Sequence, residues 1–290
     1  MMTEVCICAP AKINMSLRVL PGAQGGFHAV ESIMQTVTLV DELHVCLTKT
    51  DGECLVLCNE TLSENNTIMS SYKAFCAVVG KNVPGVRVHL TKRIPSGGGL
   101  GGGSSDAVAF VKALELLSGI TLSTHQKKEI AAQIGCDVFF FLFCGAEGCA
   151  VVTGRGEIVK PIQARRDLHV LLVFPEVKSS TKEAYVLVDE YFNSGKTVVC
   201  PAPTELETVY NAPVSDWNFA NSFTPSLVNR FAEIGSALSD VRSAGALFAE
   251  MSGSGSTVYG IFPSEKEAEN ALYELAQRWK GCVVRPFCCK

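Results

Sequence analysis

The sequence contains no run of lysine and arginine, no Cys-x-x-Cys pair and no apolar stretch long enough to cross a bilayer. Each absence removes a class of function. With 25 basic against 29 acidic residues and a formal net charge of -4, the chain carries no electrostatic footprint for nucleic acid, and its aromatic residues are not interleaved with basic ones. Its most apolar run, Val138 to Phe143, is far shorter than the about 20 residues a spanning helix needs. The start, Met1-Met2-Thr3-Glu4-Val5, has neither the positive n-region nor the apolar stretch of a secretory signal. The 13 cysteines are scattered, with one residue between Cys6 and Cys8 and three between Cys54 and Cys58. An odd count without zinc spacing or a signal points to reduced thiols in a cytoplasmic protein, used as small buried hydrophobes. A disulfide or metal framework is the lesser reading.

What the chain has in quantity is apolar material and glycine. Of its 290 residues 47% are hydrophobic and 19% charged, enough for one or two cores, since single cores stop growing at about 250–300 residues. Val5, Ile7, Ile13, Met15, Leu17 and Val19 alternate as a half-buried strand requires, and strand-like sequence resumes from Ile33 to Leu47. Asn65-Asn66 precedes a helical stretch, Ile68 to Val79, and Val86 to Leu90 alternates again. A helix carrying Ala107, Val111, Leu114 and Leu117 on one stripe follows the glycines, with Ser104 or Ser105 placed to cap it and Gly119 to end it. Ser123 and Gln126 have capping-box spacing for the next helix, which ends at Gly135.

The second half has another rhythm. Val170 to Phe174 reads as a strand, Thr181 to Tyr191 as a helix, Asn193 to Asn211 as a polar connection, and Pro225 to about Ser239 as a helix. Strands Ala246–Met251 and Thr257–Phe262 flank a Ser-Gly loop, and a helix capped at Ser264 leads to a last strand, Cys282–Phe287. Strand, helix, strand, strand, helix, strand is the ferredoxin-like order with a helix inserted. The expectation is an α+β protein with a boundary near residue 160.

The densest signal is Pro95-Ser96-Gly97-Gly98-Gly99-Leu100-Gly101-Gly102-Gly103-Ser104-Ser105. Six glycines in seven positions would cost too much entropy inside a helix or strand. Between a strand and a helix they let the backbone approach a ligand closely, and successive N–H groups with the helix dipole favour an anion. Phosphate fits best. A flexible linker is the bland alternative, but linkers seldom join a patterned strand to a capped helix. Gly97, Gly99 and Gly102 satisfy G-x-G-x-x-G, yet so glycine-rich a tract meets that pattern cheaply, and no second strand ending in an acid follows at the expected distance. A Walker A loop is excluded because no Gly-Lys-Ser/Thr closes the tract. Ser194-Gly195-Lys196-Thr197 does not qualify, since position 190 is Glu.

Three further features bear on chemistry. Lys12, among small and apolar residues before the strand Ile13–Val19, is either a surface lysine or an ammonium at a strand end facing a cleft. Asp137, ahead of a Val-Phe-Phe-Phe-Leu-Phe run, is either a turn residue or a carboxylate in a pocket; position alone leaves both open. Met251-Ser252-Gly253-Ser254-Gly255-Ser256-Thr257 holds more glycine than a minimal turn needs, suggesting a second close approach to a ligand.

Together these resemble the GHMP kinase superfamily, named for galactokinase, homoserine kinase, mevalonate kinase and phosphomevalonate kinase. Its three motifs appear in order: Pro10-Ala11-Lys12-Ile13-Asn14, Pro95 to Ser105, and Ser252 to Ser256. The likeness covers nearly the whole chain. It implies a ribosomal-protein-S5-like N-terminal domain binding ATP, residues 1–160, and a ferredoxin-like C-terminal domain binding substrate, residues 161–290. It also implies phosphoryl transfer from ATP, with Mg2+ held through the phosphates and no metal ligand assigned on the protein. In the family pattern Asp137 accepts the hydroxyl proton and Lys12 supplies the cation; phosphoryl transfer asks mainly for positioning and charge neutralisation. Pro95 to Ser105, with Asn66 and Lys92, fall on the nucleotide side.

Gly26-Phe27-His28 and Gly135-Cys136-Asp137-Val138 point within the family to the branch whose acceptor is the 2-hydroxyl of a cytidine-diphosphate-linked methylerythritol, in the non-mevalonate isoprenoid pathway. The likeness then sets Asn14, Phe27, His28, Tyr185, Gly253 and Ser254 on the acceptor, with Phe27 and His28 meeting the cytosine and Tyr185 on its other face. A homoserine or mevalonate type of kinase, or a non-catalytic nucleotide-binding module, are the alternatives. The chain departs from the pattern at Phe27, where tyrosine is usual, at Phe139, where proline is common, and at Asp106, where many relatives carry asparagine. Asp106 is left without a role, because negative charge near phosphates is unfavourable unless it faces Mg2+ or caps the helix.

Overall fold

The structure, a computed structural model, describes residues 2–22, 27–80, 83–177 and 180–287. The chain divides into two compact units: Met1–Ala11, Leu39–Ser96 and Gly101–Phe143 form the first, Lys12–Thr38, Gly97–Leu100 and Cys144–Lys290 the second.

The first unit is a sheet covered by helices. Strand β1, Glu4–Val19, alternates in burial through Cys8 and is then almost continuously buried from Ala9 onward, the pattern of a strand covered on both faces. It pairs with β2, Val30–Leu47. The second half of β2 runs antiparallel to β4, Val86–Thr91, with Val45 opposite Val88, and β3, Cys54–Cys58, lies parallel to β4 on its far side. Strict inward–outward alternation along β4 puts Val86, Val88 and Leu90 in a core with Phe75, Phe110 and Leu114.

The helices of this unit start and stop where their sequence says. Asn66 caps α1, Thr67–Val79, by accepting the Met69 N–H, and Gly80 ends it in the left-handed conformation. Ser123 and Gln126 form the full capping box of α3, Thr124–Ile134. Helix α2, Gly102–Ser118, begins earlier than expected: Gly101 is its N-cap, and no side chain caps it. Ser104 and Ser105 are therefore inside the first turns, and the expected serine cap is not there. The apolar run after Asp137 forms a short helix, α4, Cys136–Phe143.

In the second unit the first half of β2 pairs with β5, Cys149–Thr153, which turns into β6, Ile158–Pro161. A separate four-stranded sheet has the order β10-β7-β9-β8, with every pair antiparallel. Its strands are β7, His169–Phe174; β8, Phe248–Met251; β9, Val258–Phe262; and β10, Lys280–Val284. Numbered along the chain that order is 4-1-3-2, the ferredoxin-like arrangement the sequence predicts. Helices α5, Thr181–Asn193, α8, Ala232–Ser243, and α9, Glu265–Leu275, bury Ala184, Val188, Ile234, Val241, Ala268 and Ala271 against Leu171, Val173 and Val258.

Two expectations here need correction. The polar connection Asn193–Asn211 contains a helix, α6, Leu206–Asn211, held by the buried Tyr210. The single helix from Pro225 is two, α7, Thr224–Arg230, and α8, because Phe231 takes extended angles and turns its ring toward the apolar core. Among the described residues no helix is long and apolar enough to cross a membrane, and the cysteines are free thiols.

Candidate active site

In the second unit, the residues around Lys12 form a tightly bonded backbone crossing. Lys12 sits on β1, and its N–H donates to Leu100 O at 2.8 Å, which ties the strand to the glycine tract. Its side chain is only 3% exposed, and Nζ donates to Asn14 Oδ1 at 2.6 Å. Asn14 is locked in turn, since Nδ2 donates to Ser32 Oγ, which donates to Ser16 O. A lysine so buried is no solvated surface group, and its ammonium is aimed by a chain of fixed partners.

The Ser-Gly loop closes on the same place. Ser252 Oγ donates to Gly99 O and accepts the Asn14 N–H, while the Thr257 N–H donates to Gly98 O. Glycine is required by close packing here. A Cβ on Gly99 would stand 2.0 Å from Ser252 O, and one on Gly253 would meet Gly99 O at 2.9 Å and Lys12 Nζ at 3.3 Å. Gly97, Gly99 and Gly101 all have φ near +70°, the left-handed region that glycine adopts without steric cost. Asn221, which the sequence did not single out, braces the loop: its Nδ2 donates to both Met251 O and Gly253 O at 2.8 Å. No motif surrounds Asn221, and only the fold brings it there. Ser254 Oγ lies 3.2 Å from Thr181 Oγ1, at the start of α5.

The same unit carries an aromatic group. His28 and Tyr185 stack with centroids 4.9 Å apart and 15° between planes, and Phe223 meets Tyr185 edge-on. His28 Nε2 lies 2.8 Å from Asp189 Oδ1; in the tautomer that donates Nε2–H to this carboxylate, Nδ1 is the acceptor. Phe27 is 55% exposed, with the Arg155 guanidinium 5.2 Å from its ring centroid. Gly26, which precedes Phe27 in the motif, lies outside the described residues. The structure thus joins His28 directly to Tyr185, and Asp189 and Arg155 are partners the sequence did not suggest.

In the first unit, the tract's other members sit at a helix start. Pro95 and Ser96 lead out of β4, and Gly102, Gly103 and Ser104 form the first turn of α2, whose N-cap Gly101 makes no side-chain cap hydrogen bond. Asn66 is committed to capping α1, and Thr67 beside it lies against Gly103. Lys92 is placed beneath this turn: a Cβ on Gly102 would be 3.3 Å from its Nζ. That ammonium is buried and paired with two carboxylates, Asp41 and, at 2.7 Å, Asp106. Asp41 also accepts the N–H groups of Arg93 and Ile94, fixing the chain as it enters the glycines. Burial pushes the Asp106 carboxyl up to about 7; Lys92 pulls it down and Asp41 adds to the rise. Burial also disfavours the Lys92 charge, but the two carboxylates outweigh it and hold the lysine above its ordinary value. Asp106 Oδ1 is buried with no hydrogen-bond partner among the described residues.

Asp137 is in the first turn of α4 and partly exposed, where the positive end of the helix favours a carboxylate. It is neither a turn residue nor deeply buried.

Comparison with known proteins defines the class. The GHMP kinases N terminal domain matches residues 66–145 and the GHMP kinases C terminal domain residues 209–281. The chain belongs to the GHMP kinases. Among similar proteins is the 4-diphosphocytidyl-2-C-methyl-D-erythritol kinase of Treponema pallidum, 37% identical over 99% of this chain and 100% of the relative. The enzyme of the same name from Thermodesulfovibrio yellowstonii is 34% identical over 93% of each. A crystal structure of 4-(cytidine 5'-diphospho)-2C-methyl-D-erythritol kinase superposes with a TM-score of 0.78 at 26% identity, covering 97% of this chain and 98% of the other.

Proposed function

We propose that this chain transfers the γ-phosphoryl group of ATP to the 2-hydroxyl of 4-diphosphocytidyl-2-C-methyl-D-erythritol, as a cytoplasmic enzyme of the non-mevalonate isoprenoid pathway. In this reading residues 1–160 serve ATP and 161–290 the acceptor, although Lys12–Thr38 pack with the second unit. The observation that carries the choice of acceptor is the His28–Tyr185–Asp189 group. A kinase for a small apolar or amino-acid alcohol has no use for a stacked pair of rings beside an exposed phenyl group. A cytosine does: its face stacks on Phe27 or Tyr185, and its exocyclic amine is complementary to the His28 Nδ1 acceptor left by Asp189.

The phosphate side fits ATP on its own terms. Positive-φ glycines, the uncapped N–H groups of α2 and the buried Lys12 all offer positive potential with no side chain in the way. Asn14 and Ser252 orient Lys12 and the backbone around it, and Lys92 with Asn66 acts through the helix starts it supports. Mg2+ held through the ATP phosphates would supply further charge neutralisation. The acceptor oxygen forms the new bond to phosphorus as the bond to ADP breaks, and Asp137 takes the hydroxyl proton. Gly253 and Ser254 line the acceptor end of the loop.

The test is a panel of alcohols with [γ-32P]ATP and Mg2+. Label should pass to 4-diphosphocytidyl-2-C-methyl-D-erythritol in preference to homoserine and mevalonate. Transfer to one of those instead would replace the acceptor while keeping the kinase. ATP binding without transfer to any alcohol would leave a nucleotide-binding module.

A further inference from the structure

The outer face of the first unit's sheet carries a group that the kinase reaction does not use. Alternation along β1 and β2 sends Val5, Ile7, Leu43 and Val45 into the core, so Glu4, Cys6, His44 and Cys46 point the other way. There Glu4, His44 and Cys46 bring a carboxylate oxygen, an imidazole nitrogen and a sulfur within 4.8 Å of one another. His89, opposite His44 in the register of β2 and β4, stands beside them with ring centroids 6.2 Å apart.

We propose that Glu4, His44 and Cys46 form a three-ligand site for a divalent cation of borderline softness, best suited to Zn2+, with the fourth position open to water. The donor set is the first argument. Thiolate, imidazole and carboxylate together disfavour Mg2+ and Ca2+, which take oxygen ligands, and suit Zn2+. Geometry is the second. A tetrahedral zinc with bonds of about 2.0–2.3 Å sets its donor atoms about 3.3–3.6 Å apart. The separations here are 3.2 Å for His44 Nε2 to Glu4 Oε2, 3.6 Å for Cys46 Sγ to His44 Nε2 and 3.7 Å for Cys46 Sγ to Glu4 Oε2. They straddle the range, so binding needs no rearrangement of the backbone. The third argument is rigidity. His44 and Cys46 are two residues apart on one face of a strand hydrogen-bonded on both sides, which fixes the span that a loop would leave free. A Glu4–metal–His44 link would join β1 to β2 and raise stability by mass action.

The test uses the full chain, stripped with chelator and kept reduced, titrated with Co2+ as a spectroscopic stand-in and then with Zn2+. Expected are intense visible bands of tetrahedral cobalt with a thiolate charge-transfer band, saturating at one equivalent and displaced by Zn2+. Cys46→Ser should abolish the charge-transfer band, and His44→Ala should weaken affinity at least about tenfold, the least that loss of even an outer-shell partner costs. Zn2+ should raise the melting temperature of the parent chain and leave that of Cys46→Ser unmoved, while Mg2+-dependent ATP turnover stays equal in the two. A cobalt spectrum without a thiolate band, or a band that persists in Cys46→Ser, overturns the proposal, because any metal then binds elsewhere.

Discussion

Asp106 is the residue whose chemistry most depends on its surroundings. On α2, 2% exposed, it shares the Lys92 ammonium with Asp41, so two carboxylates compete for one positive charge. Its proton is held up to about 7 in the folded chain, against about 3.9 unfolded. Between those values the folded state binds more protons than the unfolded one, so this group's contribution is complete below about 4 and is lost as pH rises through 7. Melting temperature should therefore fall from pH 5 to pH 8, and Asp106→Asn should flatten that slope; an unchanged slope would remove Asp106 as its source. When protonated, Asp106 offers one donor and one acceptor, much as an asparagine side chain would. Asp137 belongs to the same scale. Asp137→Asn keeps size and helix position but removes the carboxylate proposed to accept the hydroxyl proton, so turnover should fall by about 10²-fold or more with ATP affinity nearly unchanged by calorimetry. Equal loss of both would make the residue structural.

At the scale of elements, the glycine tract and the Ser-Gly loop are one device. Gly99 and Gly97 have nearly the same positive φ, but a Cβ on Gly97 meets nothing within 4 Å while one on Gly99 collides with Ser252 O. Gly97→Ala should cost about 1–2 kcal/mol, the strain of the left-handed region alone. Gly99→Ala should cost more than that and lower phosphoryl transfer as well, because the loop must move away from Lys12. Chemical denaturation and single-turnover kinetics on the pair separate the two effects. Much of this scale is readable from sequence. Asn66, the Ser123–Gln126 box and Gly80 mark helix ends through local hydrogen bonds and left-handed angles, which depend on neighbouring residues only. The start of α2 was not readable, because its serines lie inside the helix and its cap is a glycine. Nor was α6, where the buried Tyr210 hydroxyl accepts the Arg165 N–H and donates to Gln35, partners 45 and 175 residues away.

For the whole molecule, a count of thirteen cysteines is its unusual property, and those among the described residues are free thiols. Exposure sorts them: Cys6, Cys8 and Cys136 are open to solvent, whereas Cys144 and Cys149 are buried. Burial pushes the thiols of Cys54 and Cys149 up to about 12, and only thiolates react. Among the cysteines of the described residues, brief iodoacetamide treatment of the native chain at neutral pH should label Cys6, Cys8 and Cys136 first, as peptide mass mapping would show. Cys54 and Cys149 should be labelled only after unfolding. Early labelling of Cys149 would mean that its strand opens readily.

From sequence alone follow the ferredoxin-like order of elements, through local periodicity and capping, the family, through the likeness of three motifs in order, and the expectation, through backbone freedom, that the glycine tract takes phosphate. Which side chains hold one another does not. Asp41 and Asp106 meet at Lys92, Asn221 reaches the loop after Met251, Asp189 pairs with His28 Nε2, and Glu4 comes beside His44 and Cys46. Each pair is brought together by strand pairing or helix packing over tens to hundreds of residues. A meeting of that kind leaves no pattern in one chain, and only burial and distance in the folded protein reveal it.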